Sequence, residues 1–407
     1  TEIKPRNSRK YFYRVQSLRV GERVQKNRVY LGVDLQNSEL KQKESEADKF
    51  LSNKSYEKTA KKNLLRASED KKLDGTIIKG FDFDKSSDYS RLIQSLSTTG
   101  FQASHLGKAI EITNEMIKEN VFIFLGYTSN MISSGNRDII RYLVEHKKVN
   151  VLVTTTGGIE EDIIKCLGDF YLGDFRASGE LLRKKGINRI GNIFVPNDRY
   201  VDFEKFLQPI LEELYQEQKT IGKATTPLKI IQKMGERINN KDSIYYQAFK
   251  NNISVYCPCI TDGALGDNIY FFKFKHPDFI LDVSEDVKWF NDTTIGLKKS
   301  GALILGSGIV KHAILNANML RNGLDYSVYI NTAQEYDGSD AGALPEEAIS
   351  WGKILPNAKT VKVFADATII FPLLVSQTFA KKWCVTDSST INFWKFYNFL
   401  DVRMLRS

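Results

Sequence analysis

Five acids, Glu335, Asp337, Asp340, Glu346 and Glu347, crowd the stretch YINTAQEYDGSDAGALPEEAISWGKI ahead of Trp351 and Lys353. Carboxylates beside an aromatic face suit a ligand carrying several ammonium groups on an alkyl chain, through ion pairing and cation–π contact. A lysine desolvated beside a tryptophan gives up its proton more readily and becomes a usable nucleophile near neutral pH. A solvated loop accounts for the acids but not for the tryptophan. In VNVLVTTTGGIEEDIIKCL a buried strand, a Thr/Gly turn and an amphipathic helix follow one another, which frees the amides after Thr156 to face an anion. A tight turn is the commoner reason for Gly157-Gly158, and Glu160-Glu161-Asp162 are expected to open the helix, where acids meet its dipole favourably. ALILGSGIVKHAILNAN carries Gly306-x-Gly308 but has Lys311 where a third glycine would complete a dinucleotide fingerprint. His312, near the start of that helix, is either a packed histidine satisfied by one hydrogen bond or a proton carrier.

Stepping outward, strand-like runs alternate with helical patterns after Gly75: NVFIFLGYT, NVLVTTTGG, RIGNIFVP, ISVYCPCI, ALILGSG, YSVYINTA and TVKVFADAT. That rhythm predicts a parallel α/β sheet with helices on both faces. Several runs end in Gly, Asn, Asp or Thr and lead into a helix, placing small polar residues at the carboxyl edge, where open α/β sheets bind ligands. Before this core, YFYRVQSLRVGERVQKNRVYLGV reads as a hairpin about Gly21-Glu22. Glu39 to Lys72 reads as a solvated helix or a partly ordered linker. The end of the chain holds an aromatic cluster, Phe393, Trp394, Phe396, Tyr397 and Phe399.

A chain of 407 residues exceeds the roughly 250–300 at which single cores stop growing, so a main domain with appendages is expected. The expected organisation is a basic extension over 1–73, a catalytic domain over 74–383 and a tail over 384–407. The formal charge is +9, from 58 Lys and Arg against 49 Asp and Glu. Residues 1–73 hold 19 and 10 of these, which leaves the remainder neutral. A nucleic-acid partner is therefore not indicated for the core and is compatible only with residues 1–33, where an acidic protein partner fits equally. Neither a membrane-spanning apolar run nor an apolar leader after TEIKPRNSRK is seen, so the cytoplasm is the expected location. Cys166, Cys257, Cys259 and Cys384 lack zinc-site spacing and read as reduced, packed thiols, with no metal expected.

The segments TSNMISSGNRDIIRYLVEH, VTTTGGIEEDIIKCL, GINRIGNIFVPN, TDGALGD, VKHAILNANMLRNG, NTAQEYDGSDAGALPEEAISWGKI and VFADATIIFPLLV closely resemble deoxyhypusine synthase. The resemblance runs in order from about Gly75 to Trp383 and implies a homotetramer of Rossmann-like subunits whose active sites are shared between paired subunits. It implies NAD-dependent transfer of the 4-aminobutyl group of spermidine to a lysine of the hypusine-containing translation initiation factor. By the same resemblance Lys353 carries the imine intermediate and His312 accepts a proton. The implied NAD contacts are Ser129, Asn130, Ser133, Thr155, Thr156, Gly157, Glu161, Asp262, Ser307, Thr332, Ala333, Asp366 and Ala367. The implied spermidine contacts are Glu160, Glu161, Asp267, His312, Asn316, Gly338, Ser339, Asp340, Glu347, Trp351 and Lys353.

Four positions depart from the family's common residues: Ser307 for glycine, Thr156 for alanine, Ala341 for serine and Ala313 for histidine. The hydroxymethyl of Ser307 is expected to crowd the dinucleotide and weaken its binding. Two alternatives remain: a homospermidine synthase acting on putrescine, and a regulatory subunit of weak activity. Retained Lys353 argues against the second.

Overall fold

The computed structural model describes residues 1–20, 23–64 and 75–381. The chain divides into two units, Thr1–Thr76 and Ile77–Ser407.

In the first unit β1 (Glu2–Arg6), β2 (Arg9–Val20) and β3 (Arg23–Val33) form an antiparallel sheet in that order, followed by α1 (Asn37–Leu64). β2 and β3 pair out to Val20 opposite Arg23, as the hairpin pattern requires, while Gly21-Glu22 itself lies outside the described residues. β1 was not legible in the sequence; it pairs from Glu2 opposite Tyr13 to Arg6 opposite Arg9. Phe12 and Leu31 bury against Ala47 of α1 and form a small core of their own.

The second unit is built on six parallel strands: β4 (Phe122–Tyr127), β5 (Val151–Thr154), β6 (Ser254–Tyr256), β7 (Ser300–Leu305), β8 (Leu324–Asn331) and β9 (Ile354–Phe364). Their spatial order is β9-β8-β7-β4-β5-β6, with every neighbouring pair parallel. Strand order reverses between β4 and β7, which opens a crevice beyond their carboxyl ends. The inner strands read as apolar runs because both faces are covered; all of Val151–Thr154 and Ser300–Leu305 is buried, whereas the edge strand β9 is exposed at several positions.

Helices that position the site are α2 (Phe101–Lys118), α3 (Asn136–Glu145), α4 (Thr156–Leu167), α5 (Ala264–Lys275), α6 (Ile309–Met319), α7 (Pro345–Ser350) and α8 (Ala367–Gln377). Leu125, Tyr127 and Leu152 point to one face and pack with Ile112 of α2, Ile140 of α3 and Ile159 of α4. Their sequence neighbours Phe124, Val151 and Val153 point to the other face and pack with Val310 and Ile314 of α6. Each such buried aliphatic side chain contributes about 1.5–3 kcal/mol. α6 comes so close to β4 that a Cβ on Gly126 would lie 2.6 Å from Ile314 Cδ1 and 2.9 Å from Val310 Cγ1.

One strand expectation is corrected. RIGNIFVP does not join the parallel sheet; it splits into Ile187–Ile190 and Ile193–Pro196, which pair antiparallel in a separate three-stranded sheet with Tyr171–Leu172. Gly191, at φ +58°, makes the tight turn that divides the run. The tail at 384–407, with Cys384, lies outside the described residues.

Candidate active site

Three turns meet at the strand reversal. After β4, Thr128 donates its amide to Leu305 O at the end of β7 (3.2 Å), and its hydroxyl bonds Asn130 Oδ1. After β5, Thr155 starts α4 in extended conformation with no side-chain cap, and its Oγ1 is buried without a partner. A Cβ on Gly157 would stand 2.9 Å from Ser129 Cβ, so the glycine lets the two turns touch. After β7, Gly306 (φ +83°) and Gly308 (φ +68°) turn the chain into α6, and a Cβ on Gly306 would meet Thr128 Oγ1 at 2.3 Å. At the start of α4 Gly158 donates its amide to Thr155 O at 3.0 Å, closing a tight first turn. Beyond β8, Thr332 is exposed and Ala333 donates its amide to Asn331 Oδ1 at 3.1 Å. Beyond β9, Asp366 accepts from Thr368 N at 2.7 Å and caps α8, whose first residue is the buried Ala367.

The acids of α4 correct the dipole reading. They occupy its second turn, and each has a particular partner. Asp162 is fully buried, paired with Arg137 at 2.7 Å and accepting from Ser243 Oγ at 2.6 Å, so it holds the core together. Glu161 accepts from Ser133 Oγ, and burial pushes its carboxyl up to about 7. Glu160 accepts from Leu265 N of α5 at 2.9 Å; burial again raises it, with Asp267 and Asp262 adding like charge. Thr156, also buried, turns inward, its hydroxyl donating to Cys259 O beyond β6. Cys257 lies in the core 3.8 Å from Thr156 Oγ1, and Cys166 is 3.0 Å from Arg137 Nη2.

The second group lies over α6 and α7. His312 stands between Asn316, 2.7 Å from its Nε2, and Asp340, 3.5 Å from its Nδ1. A cleft beside it is lined by Asp340, Glu347, Trp351 and Lys353. Lys353 Nζ lies 5.4 Å from the Trp351 ring centroid, and Asp340 Oδ2 is buried with no partner among the described residues. Gly338 adopts φ +72°, and Ser339 donates its amide to Asp337 at 2.8 Å, which folds the acidic segment back on itself. The expected desolvation of Lys353 is not delivered here: Trp351 is 64% exposed and Lys353 only partly buried. No hydrogen bond or ion pair among the described residues joins this group to Glu160, Glu161 and Asp267. By the contacts they make the substrate candidates fall into two half-sets, Glu160 with Leu265 N and Asp267 nearby, and His312 with Asn316 and Asp340.

The sequence reading missed what holds the acidic segment. Lys311 is 1% exposed; its ammonium donates to Asp340 O and Ala343 O and sits 5.1 Å from the Tyr329 ring centroid. Lys362 of β9 donates to Ala333 O at 2.6 Å and Gly342 O at 2.7 Å. Ser307 Oγ donates to Ala341 O at 2.7 Å, so its hydroxyl is engaged with this segment. Burial lowers the proton affinity of both lysines. The signal for Lys311 was available: it shares a helical face with the apolar Ile314 and Leu315.

The family model for deoxyhypusine synthase matches residues 91–378. The chain is 52% identical to the deoxyhypusine synthase of Senecio vernalis over 342 residues, covering 77% of this chain and 92% of that protein. It is 49% identical to homospermidine synthase 2 of the same plant over 359 residues, covering 81% and 96%. A crystal structure from Entamoeba histolytica described as a deoxyhypusine synthase superposes with TM-score 0.57 at 35% identity, covering 74% of this chain and 97% of that one. A crevice of three touching turns, a lysine–tryptophan cleft and these matches lead to one assignment: the chain belongs to the deoxyhypusine synthase family.

Proposed function

We propose that this chain is an NAD-dependent deoxyhypusine synthase that moves the 4-aminobutyl group of spermidine onto a lysine of the hypusine-containing translation initiation factor. The observation that carries the reading is the cleft in which Lys353, Trp351 and Glu347 surround the unpartnered Asp340 Oδ2. A buried carboxylate oxygen without a donor is costly alone and is satisfied by an alkylammonium.

The residues fit a dinucleotide. Gly157 leaves no room for a side chain where two turns meet, and Thr155 Oγ1 is an unsatisfied buried hydroxyl at a helix start. Ser129, Asn130, Ser133, Thr156, Glu161, Asp262, Ser307, Thr332, Ala333, Asp366 and Ala367 would complete its surroundings. A dinucleotide held there would supply the redox chemistry, accepting hydride from the carbon beside the secondary amine of spermidine and giving hydride back to the transferred group. His312, held by Asn316 and Asp340, accepts the amine proton. The Lys353 amine then attacks the oxidised carbon, diaminopropane leaves, and the aminobutyl group stays on Lys353 as an imine. The acceptor lysine displaces Lys353 from that imine and carries the group away.

The two half-sets support a homotetramer with shared sites: Glu160, Glu161 and Asp267 of one subunit would close over His312, Asn316, Gly338, Ser339, Asp340 and Trp351 of its neighbour. The neighbour's arrival would also cover the exposed Trp351. Within this scheme residues 74–383 form the catalytic domain, 1–73 an extension and 384–407 a tail, in a cytoplasmic enzyme. No helix among the described residues is long and apolar enough to cross a membrane.

Incubation with NAD, labelled spermidine and the acceptor protein should label the acceptor, and borohydride should trap an adduct on Lys353. Lys353→Arg should lose both signals; an unlabelled acceptor overturns the proposal. The 49% identity to homospermidine synthase 2 favours one other reading, and transfer to putrescine rather than to protein would establish it.

A further inference from the structure

The basic excess of this chain lies in its first 73 residues, which hold 19 Lys and Arg against 10 Asp and Glu. The three-stranded sheet there has two unlike faces. Phe12 and Arg14 of β2 face α1, where Arg14 pairs with Glu44 at 3.5 Å and Asp48 at 2.6 Å. Those helix acids are thereby spent on the covered side.

Residues of opposite parity make the open face. Tyr11 and Tyr13 of β2 lie opposite Lys4 and Glu2 of β1, while Tyr30 and Arg28 of β3 lie opposite Tyr13 and Val15. Lys26 opposite Ser17, and Arg6 opposite Arg9, extend the same face. Among the described side chains it thus presents five cations and one acid, Glu2, which is bound to Arg28 at 2.9 Å. Asp34, at the edge, reaches only to within 3.9 Å of Arg9. Three rings run through this charge: Tyr13 and Tyr30 have centroids 5.4 Å apart, Tyr11 and Tyr30 6.4 Å, and Lys4 Nζ stands 5.8 Å from the Tyr13 centroid. Tyr30 is 53% exposed. No described element of this unit covers the face.

The exposed Tyr30 ring, backed by Tyr11 and Tyr13 and set among ammonium and guanidinium groups, matches unpaired bases joined by phosphates, because a base stacks on the ring while the cations follow the backbone. A duplex keeps its base faces inside the helix and gives the tyrosines nothing to stack on. An acidic protein would meet the cations and leave the rings unused. We propose that the open face of the N-terminal sheet binds single-stranded nucleic acid, stacking bases on Tyr30 and its neighbours and pairing phosphates with Lys4, Arg6, Arg9, Lys26 and Arg28. This is independent of the aminobutyl transfer.

The test is fluorescence anisotropy of the full chain with a labelled oligouridine of about 20 nucleotides and with a duplex of equal length, across a salt series. The single strand should bind more tightly, with log K falling against log salt by roughly 0.7 per phosphate engaged. Tyr30→Ala should weaken binding about tenfold without altering that slope, Tyr30→Phe should retain it, and Lys26→Gln should flatten the slope by roughly 0.7. Lys26 is on the surface, so its replacement tests the face without threatening the fold. Absence of binding at low salt, tighter binding to the duplex, binding only to the acidic acceptor protein, or indifference to Tyr30→Ala and Lys26→Gln would each overturn the proposal.

Discussion

Glu161 shows how much burial alone can set the chemistry of one carboxyl. Its pKa rises from 4.5 to about 7 because desolvation outweighs the hydroxyl of Ser133 and the charge of Lys165. The folded state therefore binds this proton more tightly than the unfolded chain. Stability from the neutral carboxyl is fully present below about 4.5 and is lost as pH rises through 7, at a cost on the order of 3 kcal/mol. Glu161→Gln should raise the melting temperature at pH 8 and leave it unchanged near pH 4; calorimetry at the two pH values checks this. Ser307 is the second residue whose surroundings change its meaning. Its hydroxyl donates to Ala341 O, so Ser307→Gly should raise the KM for spermidine about fivefold, the worth of one hydrogen bond, and leave NAD affinity unchanged. An obstructive serine would instead give tighter NAD binding on replacement. Lys353, Trp351 and Asp340 were legible because acids, an aromatic and a lysine within one short segment have few bland explanations. The partners of Glu160 and Asp162 were not, since Leu265, Arg137 and Ser243 are distant in sequence.

At the scale of elements, the inner strands β4, β5 and β7 were readable because burial on both faces leaves apolar runs with no alternation, while the edge strand β9 is partly uncovered and alternates in TVKV. The RIGNIFVP error has the same root, since a tight turn inside a run leaves its apolar content unchanged. The three-residue β6 owes its place to pairing with β5 at Val151–Val153. Contact between α6 and β4 depends on Gly126, and Gly126→Val should destabilise the fold by several kcal/mol, measured as a lower denaturant midpoint. The acidic segment tests a different link. Lys311→Met keeps the apolar stem but strands the carbonyls of Asp340 and Ala343, each costing about 1–3 kcal/mol. The kcat/KM for spermidine should fall at least a hundredfold while borohydride trapping on Lys353, at saturating spermidine, persists.

For the whole molecule, the proposed sharing of sites between subunits makes assembly a testable part of catalysis. Co-expressing Lys353→Ala with Asp267→Asn should recover about a quarter of wild-type activity if sites are shared, because half of random pairs are mixed and each mixed pair holds one intact site. Two inactive parents and an inactive mixture would place every group in a single subunit. Spacing within one chain carries no signal for such an arrangement, since a second copy adds no new sequence. The anchoring of residues 333–343 has a further consequence, for descent rather than for turnover. Every tether there, from Lys311, Lys362 and Ser307, grips a main-chain carbonyl. Natural variation can therefore rewrite the side chains of this segment while its path is inherited intact. Inheritance of shape and inheritance of side-chain chemistry are thereby uncoupled along this one stretch of chain.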